Sequence, residues 1–193
     1  MNPIYNFSAG PAMLHPSVVR ATSEASVNYN NSGMSLMEMS HRSQPVVDMV
    51  HETEQLVKKL LHLSDEYHVL FLQGGASLQF CMVPLNLLEE NQTADYTNTG
   101  TWSQKAINEA KMYGTINEIS SSKDSNYDHI PKDLRQSKNS IYLHLTSNNT
   151  IFGTQWSTFP VPLNQNSYLV ADMSSDICLL YTSDAADEGL GVD

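Results

Sequence analysis

A short apolar run that ends in two glycines, within residues 68–80, constrains the fold more than any other stretch. Residues 69–72 are continuously apolar, which is the pattern of a strand covered on both faces. The glycine pair 74–75 permits a sharp turn, and Ala76 and Ser77 then open a predicted helix. Such a turn directs free N–H groups and the positive end of the helix outward, which suits a phosphate. Many turns of this kind bind nothing, and no Gly-Lys-Ser/Thr follows, so the stretch is not a P-loop.

Charge and cysteine content exclude several classes of function. The chain has 193 residues, enough for one domain with a core, and a formal net charge of −11. That charge argues against a nucleic-acid or membrane partner, since phosphate-rich surfaces attract clustered Lys and Arg, but it permits a small phosphorylated ligand. Two cysteines, Cys81 and Cys178, make no disulfide framework. Neither a signal peptide nor a membrane-spanning run is visible, so a cytoplasmic protein is expected. No metal site is expected.

Three later polar turns also follow predicted strands. Trp102 begins a helix after a glycine turn, Thr150 lies in a polar turn, and Asp172 ends an apolar strand. Trp102 is either partly buried in the core or stacks on a planar ligand. Asp172 either caps its loop or holds a cation or protonated nitrogen. Strands alternate with helices, which predicts an α/β fold with a mostly parallel sheet, and ligands collect at the carboxyl ends of such strands. We therefore expect the four turns to face one crevice.

The first part of the chain holds polar groups in loops. Residues 1–16 are rich in Pro, Gly and Asn and are predicted to form an irregular arm that includes Ser8. His41 and Arg42 precede a predicted helix for which Ser43 is the candidate N-cap. Both segments fit an ordinary protein surface, but an Arg fork is also the usual receptor for a carboxylate or phosphate.

Taken together, these motifs resemble the phosphoserine aminotransferase family of pyridoxal-phosphate enzymes. The resemblance covers about residues 4–177 and rests on six segments in family order and spacing. They are Asn6-Phe7-Ser8-Ala9-Gly10-Pro11, Ser40-His41-Arg42-Ser43, Gln73-Gly74-Gly75-Ala76-Ser77, Gly100-Thr101-Trp102-Ser103, Asn149-Thr150-Ile151 and Ala171-Asp172-Met173-Ser174-Ser175. Each segment alone is weak evidence, whereas together they are highly specific.

The resemblance implies a fold-type-I transferase that is a homodimer with its active site at the subunit interface. Its reaction transfers an amino group between glutamate and 3-phosphohydroxypyruvate and gives O-phosphoserine and 2-oxoglutarate in serine biosynthesis. In some bacteria the same enzyme also serves pyridoxine biosynthesis. The implied cofactor is pyridoxal 5'-phosphate, the partners are these small molecules, and neither nucleic acid nor membrane is expected.

The resemblance also implies roles for residues. Ala76 and Ser77 would hold the cofactor phosphate, and Trp102 would stack on the pyridine ring. Thr150 would hydrogen-bond the hydroxyl side of the ring, and Asp172 would pair with the pyridinium nitrogen. For the substrate, the implied residues are Arg42 for the carboxylate with Ser8 nearby, and His41 for the phosphate, across the dimer.

One family element is missing from this sequence. The resemblance places the Schiff-base lysine roughly 25 residues after Asp172, but no lysine follows Lys138. We therefore expect an arm at 1–16, part of the large cofactor domain at 17–177 and a non-native tail at 178–193, and no transaminase activity from this chain alone. Two alternatives remain: a non-catalytic protein that binds pyridoxal phosphate or a phosphorylated metabolite, and a related aminotransferase with another acceptor, such as an alanine–glyoxylate enzyme.

Overall fold

A computed structural model describes residues 4–8 and 10–177 of the chain. The expected tail at 178–193 lies outside the described residues. The chain divides into two compact units, Met1–Phe71 and Leu72–Asp193. The division expected from the sequence, an arm at 1–16 and a domain at 17–177, stays a prediction.

The first unit is helical. Helix α1 spans Pro16–Asn28 and helix α2 spans Gln44–Leu60, with short 3₁₀ turns at Tyr29–Asn31 and Leu36–Glu38. Ser43 is the N-cap residue of α2, as the sequence predicts, and Pro45 follows in the first turn, where a missing N–H costs little. No helix or strand is present in the described residues before α1.

The second unit contains a parallel sheet. Helix α3 spans Gly75–Leu87 and α4 spans Thr101–Ala110, and a 3₁₀ turn covers Lys123–Ser125. The strands are β1 Thr93–Asn98, β2 Thr115–Ser121, β3 Ser140–Thr146, β4 Asn148–Asn149, β5 Thr154–Gln155 and β6 Tyr168–Asp172. Four strands form one parallel sheet in the order β2-β1-β3-β6, and β4 and β5 form a small antiparallel hairpin. The prediction of an α/β fold with a mostly parallel sheet flanked by helices is confirmed.

The core of this unit lies between the sheet and helices α3 and α4. Its buried members are Phe80, Leu88, Ala94, Tyr96, Ala106, Ile107, Ala110 and Tyr142. Helix α4 contributes small residues and one isoleucine to this layer, so its backbone packs closely on β1 and β3. This packing holds the start of α4 next to the carboxyl ends of the two central strands.

One strand predicted from the sequence is wrong. Residues 69–72 form no strand, and Leu70, Phe71 and Leu72 are 73%, 57% and 55% exposed. Apolar composition predicts that a segment is suited to burial, but a strand also needs a hydrogen-bonding neighbour, and the described sheet does not pair with this segment. The apolar strand before Asp172 does form, as β6, but Tyr168 remains 60% exposed because β6 is an edge strand. Within the described residues, no helix is long and apolar enough to cross a bilayer.

Candidate functional site

The N-terminus of α3 is open and built from glycine. Gly74 is the N-cap residue at φ 88°, and Gly75 follows at φ 59°, a region that L-residues other than glycine rarely adopt. Among residues 4–8 and 10–177, no side chain caps this helix end. The first N–H groups of a helix lack intrahelical acceptors, so those of Gly75, Ala76 and Ser77 are available to an anion. Ser77 is exposed and Ala76 half-buried, so the structure confirms the predicted glycine turn and helix start.

The N-terminus of α4 is enclosed. Ser103 Oγ accepts hydrogen bonds from the backbone N–H groups of Thr99 and Gly100, both at 2.9 Å, and Ser103 is fully buried. A Cβ at Gly100 would lie 2.7 Å from Asn149 Oδ1, so this close approach requires glycine. Asn149 in turn donates to the backbone and side-chain oxygens of Thr154, at 3.3 and 3.1 Å. The Thr99 hydroxyl donates to Asn149 Oδ1 at 3.4 Å, and this bond joins the turn before α4 to the β4–β5 hairpin.

Two residues singled out in the sequence meet at this junction. The indole Nε1 of Trp102 donates to Thr150 Oγ1 at 3.3 Å. Because that hydroxyl oxygen accepts from the indole, its own hydrogen is left to donate elsewhere. Lys105 Nζ lies 4.5 Å from the centroid of the Trp102 ring, a cation–π contact. Trp102 is half-buried and Thr150 exposed, so both remain accessible to a ligand.

Asp172 lies at the end of β6, where the sequence predicts it. In the sheet register it is paired with Thr146 of β3, so both side chains leave the same face of the sheet. Asp172 Oδ1 accepts from the backbone N–H of Ser174 at 3.2 Å and also from the Ser174 hydroxyl. The carboxylate therefore does cap its own loop, and it is still half-exposed and able to meet a cation.

Asp176 ties together the loops that carry Thr150 and Asp172, and sequence reasoning missed it. It is 2% exposed, and its carboxylate accepts from Gln155 Nε2 at 3.0 Å and lies 2.5 Å from Ser147 Oγ. The loop after β6 is thereby tied to the β4–β5 hairpin, which carries Thr150 between its strands. Nothing in the local sequence distinguishes Asp176 from a solvated acid, because the groups that hydrogen-bond to its carboxylate lie 21 and 29 residues away in the chain.

The face of the sheet that carries Asp172 also carries a buried imidazole, that of His144. His144 is 3% exposed and stacks on the Tyr96 ring, with centroids 4.6 Å apart. Burial lowers the pKa of His144 to about 4, and the negative charge of Asp172 opposes this only in part. The hydroxyls of Tyr96 and Tyr142 are 2.8 Å apart, and burial raises the pKa of Tyr142 to about 12. Burial also raises the pKa of Tyr96, so the side chains of Tyr96, Tyr142 and His144 are all neutral at pH 7.

The remaining predicted residues belong to the first unit. Ser8 is exposed in the arm, and its backbone N–H donates to Asn6 Oδ1 at 2.9 Å. His41 and Arg42 are exposed in the turn before α2, where the Arg42 N–H donates to Ser40 Oγ at 3.2 Å. The five residues predicted to bind the cofactor all lie in the second unit. Of the four predicted turns, only the one at Gly74 does not follow a strand.

Fold and turns together define an α/β protein with polar turns at the carboxyl ends of parallel strands, the usual ligand-binding edge of such sheets. Comparison with known proteins supports this assignment. The profile of the family Aminotransferase class-V matches residues 4–179. The phosphoserine aminotransferase of Desulfatibacillum aliphaticivorans is 51% identical over 177 residues, which are 91% of this chain and 48% of that relative.

Solved structures give the same result. The phosphoserine aminotransferase of Bacillus circulans subsp. alkalophilus matches with a TM-score of 0.85 and 45% identity, over 92% of this chain and 49% of that one. The pyridoxal-phosphate-bound enzyme of Trichomonas vaginalis matches with a TM-score of 0.77 and 35% identity, over 86% of this chain and 50% of that one. The chain belongs to the class-V aminotransferase family. It spans about half the length of the relatives it matches.

Proposed function

We propose that the protein carrying this chain is a phosphoserine transaminase that uses pyridoxal phosphate. It transfers an amino group between glutamate and 3-phosphohydroxypyruvate and so gives O-phosphoserine and 2-oxoglutarate. The family membership and a relative of that name at 51% identity support the proposal. The observation that carries it is the meeting of Trp102 and Thr150 at the edge of the sheet where Asp172 ends β6.

The donor set fits the cofactor group by group. The open start of α3, with the N–H groups of Ala76 and Ser77, suits a doubly charged phosphate. The face of Trp102 suits a flat aromatic ring, and the free hydrogen of the Thr150 hydroxyl suits a ring oxygen. The Asp172 carboxylate suits a protonated ring nitrogen.

When bound, pyridoxal phosphate supplies an electron-accepting ring for the carbon that loses its proton. Asp172 holds a proton on the ring nitrogen through its negative charge, which makes the ring a stronger acceptor. Trp102 keeps water from one ring face, and its contact with Thr150 fixes the direction in which that hydroxyl donates. Ala76 and Ser77 anchor the phosphate, so the ring position is set from both ends.

The substrate receptors are proposed within the first unit. Arg42 has the planar fork that binds a carboxylate with two hydrogen bonds, and the exposed Ser8 and His41 add polar contacts for the carboxylate and the phosphate. Assembly as a homodimer, a place in the cytoplasm and a role in serine biosynthesis, or also in pyridoxine biosynthesis, belong to the same proposal. The arm sequence at 7–11 with His41 and Arg42 favours this acceptor over that of an alanine–glyoxylate enzyme.

A second candidate is a protein that binds pyridoxal phosphate or a phosphorylated metabolite without catalysis. A transaminase needs a lysine to bind the cofactor covalently, and the lack of a lysine after Lys138 favours this candidate only if residues 178–193 belong to the natural protein. Borohydride reduces a lysine Schiff base to a stable amine and reduces unlinked pyridoxal phosphate to pyridoxine phosphate. A polypeptide of these 193 residues that binds the cofactor without catalysis should therefore lose all of the bound pyridine ring on dialysis after borohydride treatment. Cofactor retained after that treatment would instead indicate a covalent bond between the cofactor and a lysine. Lys105, which lies beside Trp102, is the first lysine to replace in that case.

The test of the proposed activity uses Asp172→Asn in the enzyme that contains this chain. The amide keeps the shape and removes the charge, so we expect bound cofactor but turnover lower by at least about a hundredfold, or roughly 2.7 kcal/mol in the barrier. Cofactor content, melting temperature and turnover with glutamate and 3-phosphohydroxypyruvate are measured on one preparation. Near-normal turnover would remove Asp172 from the site, and wild-type enzyme with no turnover on this substrate pair would reject the proposed reaction.

A further inference from the structure

Two polar side chains of β3 lie beside Asp172 on one face of the sheet. The register pairs His144 with Val170 and Thr146 with Asp172, so alternate residues of the two strands leave the same face. Within residues 4–8 and 10–177, neither His144 Nδ1 nor Thr146 Oγ1 has a hydrogen-bond partner, although both atoms are buried. Buried polar atoms in proteins are almost always paired, so each of these two atoms calls for a polar partner such as a bound water.

The ring of His144 has little freedom to move. It is 3% exposed and lies nearly parallel to the Tyr96 ring, at an interplanar angle of 16°. The Tyr96 hydroxyl is itself bonded to that of Tyr142. A ring held in this way presents its Nδ1 in a fixed direction. It can therefore hold a hydrogen-bonded neighbour in a fixed place.

His144 and Asp172 are diagonal neighbours in the register of β3 and β6, a separation that leaves room for one intervening molecule. Diagonal neighbours in a sheet are separated by about 7–8 Å between Cα atoms, compared with about 5 Å for directly opposite residues. A buried water typically makes about three hydrogen bonds, and here the imidazole, the Thr146 hydroxyl and the carboxylate would supply them.

We propose that His144 is a positioning residue which, with Thr146, holds a water molecule against the Asp172 carboxylate and so aims it at the ring nitrogen of the cofactor. The inference rests on the proposed function, because it concerns how Asp172 meets that nitrogen. The Ser174 bonds fix Oδ1 of the carboxylate from the loop side, and the water fixes the group from the strand side.

A neutral imidazole suits this role better than a cation. Burial holds the pKa of His144 far below 7, so the side chain carries no charge at neutral pH. A cationic His144 would partly cancel the charge of Asp172 and weaken its hold on the ring proton. His144 therefore orients the carboxylate without discharging it.

The experiment is a double-mutant cycle read by binding rather than by activity. His144→Phe keeps a ring to stack on Tyr96 but removes both ring nitrogens, and it is combined with Asp172→Asn in the full chain. The probe is pyridoxal phosphate labelled with ¹⁵N in the ring, with affinity from equilibrium dialysis and ring protonation from the ¹⁵N shift. We expect His144→Phe to weaken binding about tenfold alone but less than about twofold beside Asp172→Asn, because the effect runs through the carboxylate.

The ¹⁵N shift separates this role from a structural one. With His144→Phe, the shift should move towards that of an unprotonated ring nitrogen. Equal weakening in both backgrounds with an unchanged shift would overturn the inference. If His144→Phe does not fold, Thr146→Val replaces it, as the isosteric loss of one water ligand, with an expected weakening of about threefold and the same non-additivity.

The outcome also distinguishes this inference from the proposed function. Wild-type chain that does not bind pyridoxal phosphate, or Asp172→Asn that leaves both binding and the ¹⁵N shift unchanged, would reject the proposed site and with it the role of His144. Binding that depends on Asp172 but is insensitive to His144 and Thr146 would overturn the inference alone.

Discussion

The second unit contains two glycine turns that open helices, and they are built in opposite ways. At the start of α4, the turn is buried, and the Ser103 hydroxyl binds two backbone N–H groups. At the start of α3, the turn is exposed and lies at positive φ at Gly74 and Gly75, and no side chain in the described part of the chain caps it. The same sequence signal, glycine before a helix, therefore gives one fixed support and one open receptor. What separates them is whether a side chain in the first turn of the helix, here Ser103, supplies an acceptor for the N–H groups of the turn.

The largest expected difference between the turns is in stability. Ser103→Ala leaves the buried N–H groups of Thr99 and Gly100 without an acceptor, so we expect a loss of about 3 kcal/mol in the free energy of unfolding. Ser77→Ala is the matched control at the open turn, and its exposed hydroxyl should cost less than about 0.5 kcal/mol. Urea unfolding of both variants measures the difference. Similar losses would mean that the two turns are equally structural.

Acid should weaken the sheet that supports the enclosed turn. The pKa of His144 is about 4 in the folded protein and 6.5 ordinarily, so below pH 6.5 the unfolded chain takes up a proton that the folded chain does not. Stability then falls as pH falls from 6.5 towards 4, and this group should cost about 2 kcal/mol between pH 7 and pH 5. His144→Phe isolates the contribution, because it removes the imidazole that takes up the proton on unfolding. If the free energy of unfolding fell by the same amount between pH 7 and pH 5 in the wild type and in His144→Phe, the prediction would be contradicted.

The smallest expected effect decides which helix end receives the phosphate. Ser77→Asp puts a negative charge into the first turn of α3, where it repels an anion, and we expect about tenfold weaker binding of pyridoxal phosphate. Thr101→Asp puts the same charge into the first turn of α4 and should change binding less than about twofold. Equilibrium dialysis of both variants gives the comparison. The reverse order of effects would place the phosphate at α4.

Local patterns determined most of the elements of this chain. Apolar runs and turn residues predicted β1, β2, β3 and β6, the helix starts near Gly75 and Trp102, and the N-cap at Ser43. The α/β alternation then predicted a parallel sheet, because parallel strands need helical crossovers. The position of Asp172 at the end of β6 also follows from pattern alone, since a charge after an apolar strand marks where the strand leaves the core.

Tertiary structure decided what each of these residues contacts. The apolar segment 69–72 looks as strand-like as β3, yet only β3 has neighbours on both sides, and hydrophobicity carries no information about pairing. Likewise Asp176 resembles a surface acid and His144 a core histidine until β3, β6 and the hairpin bring their partners close. Hydrogen bonds act over about 3 Å, so contacts between residues tens of positions apart exist only once the sheet has assembled.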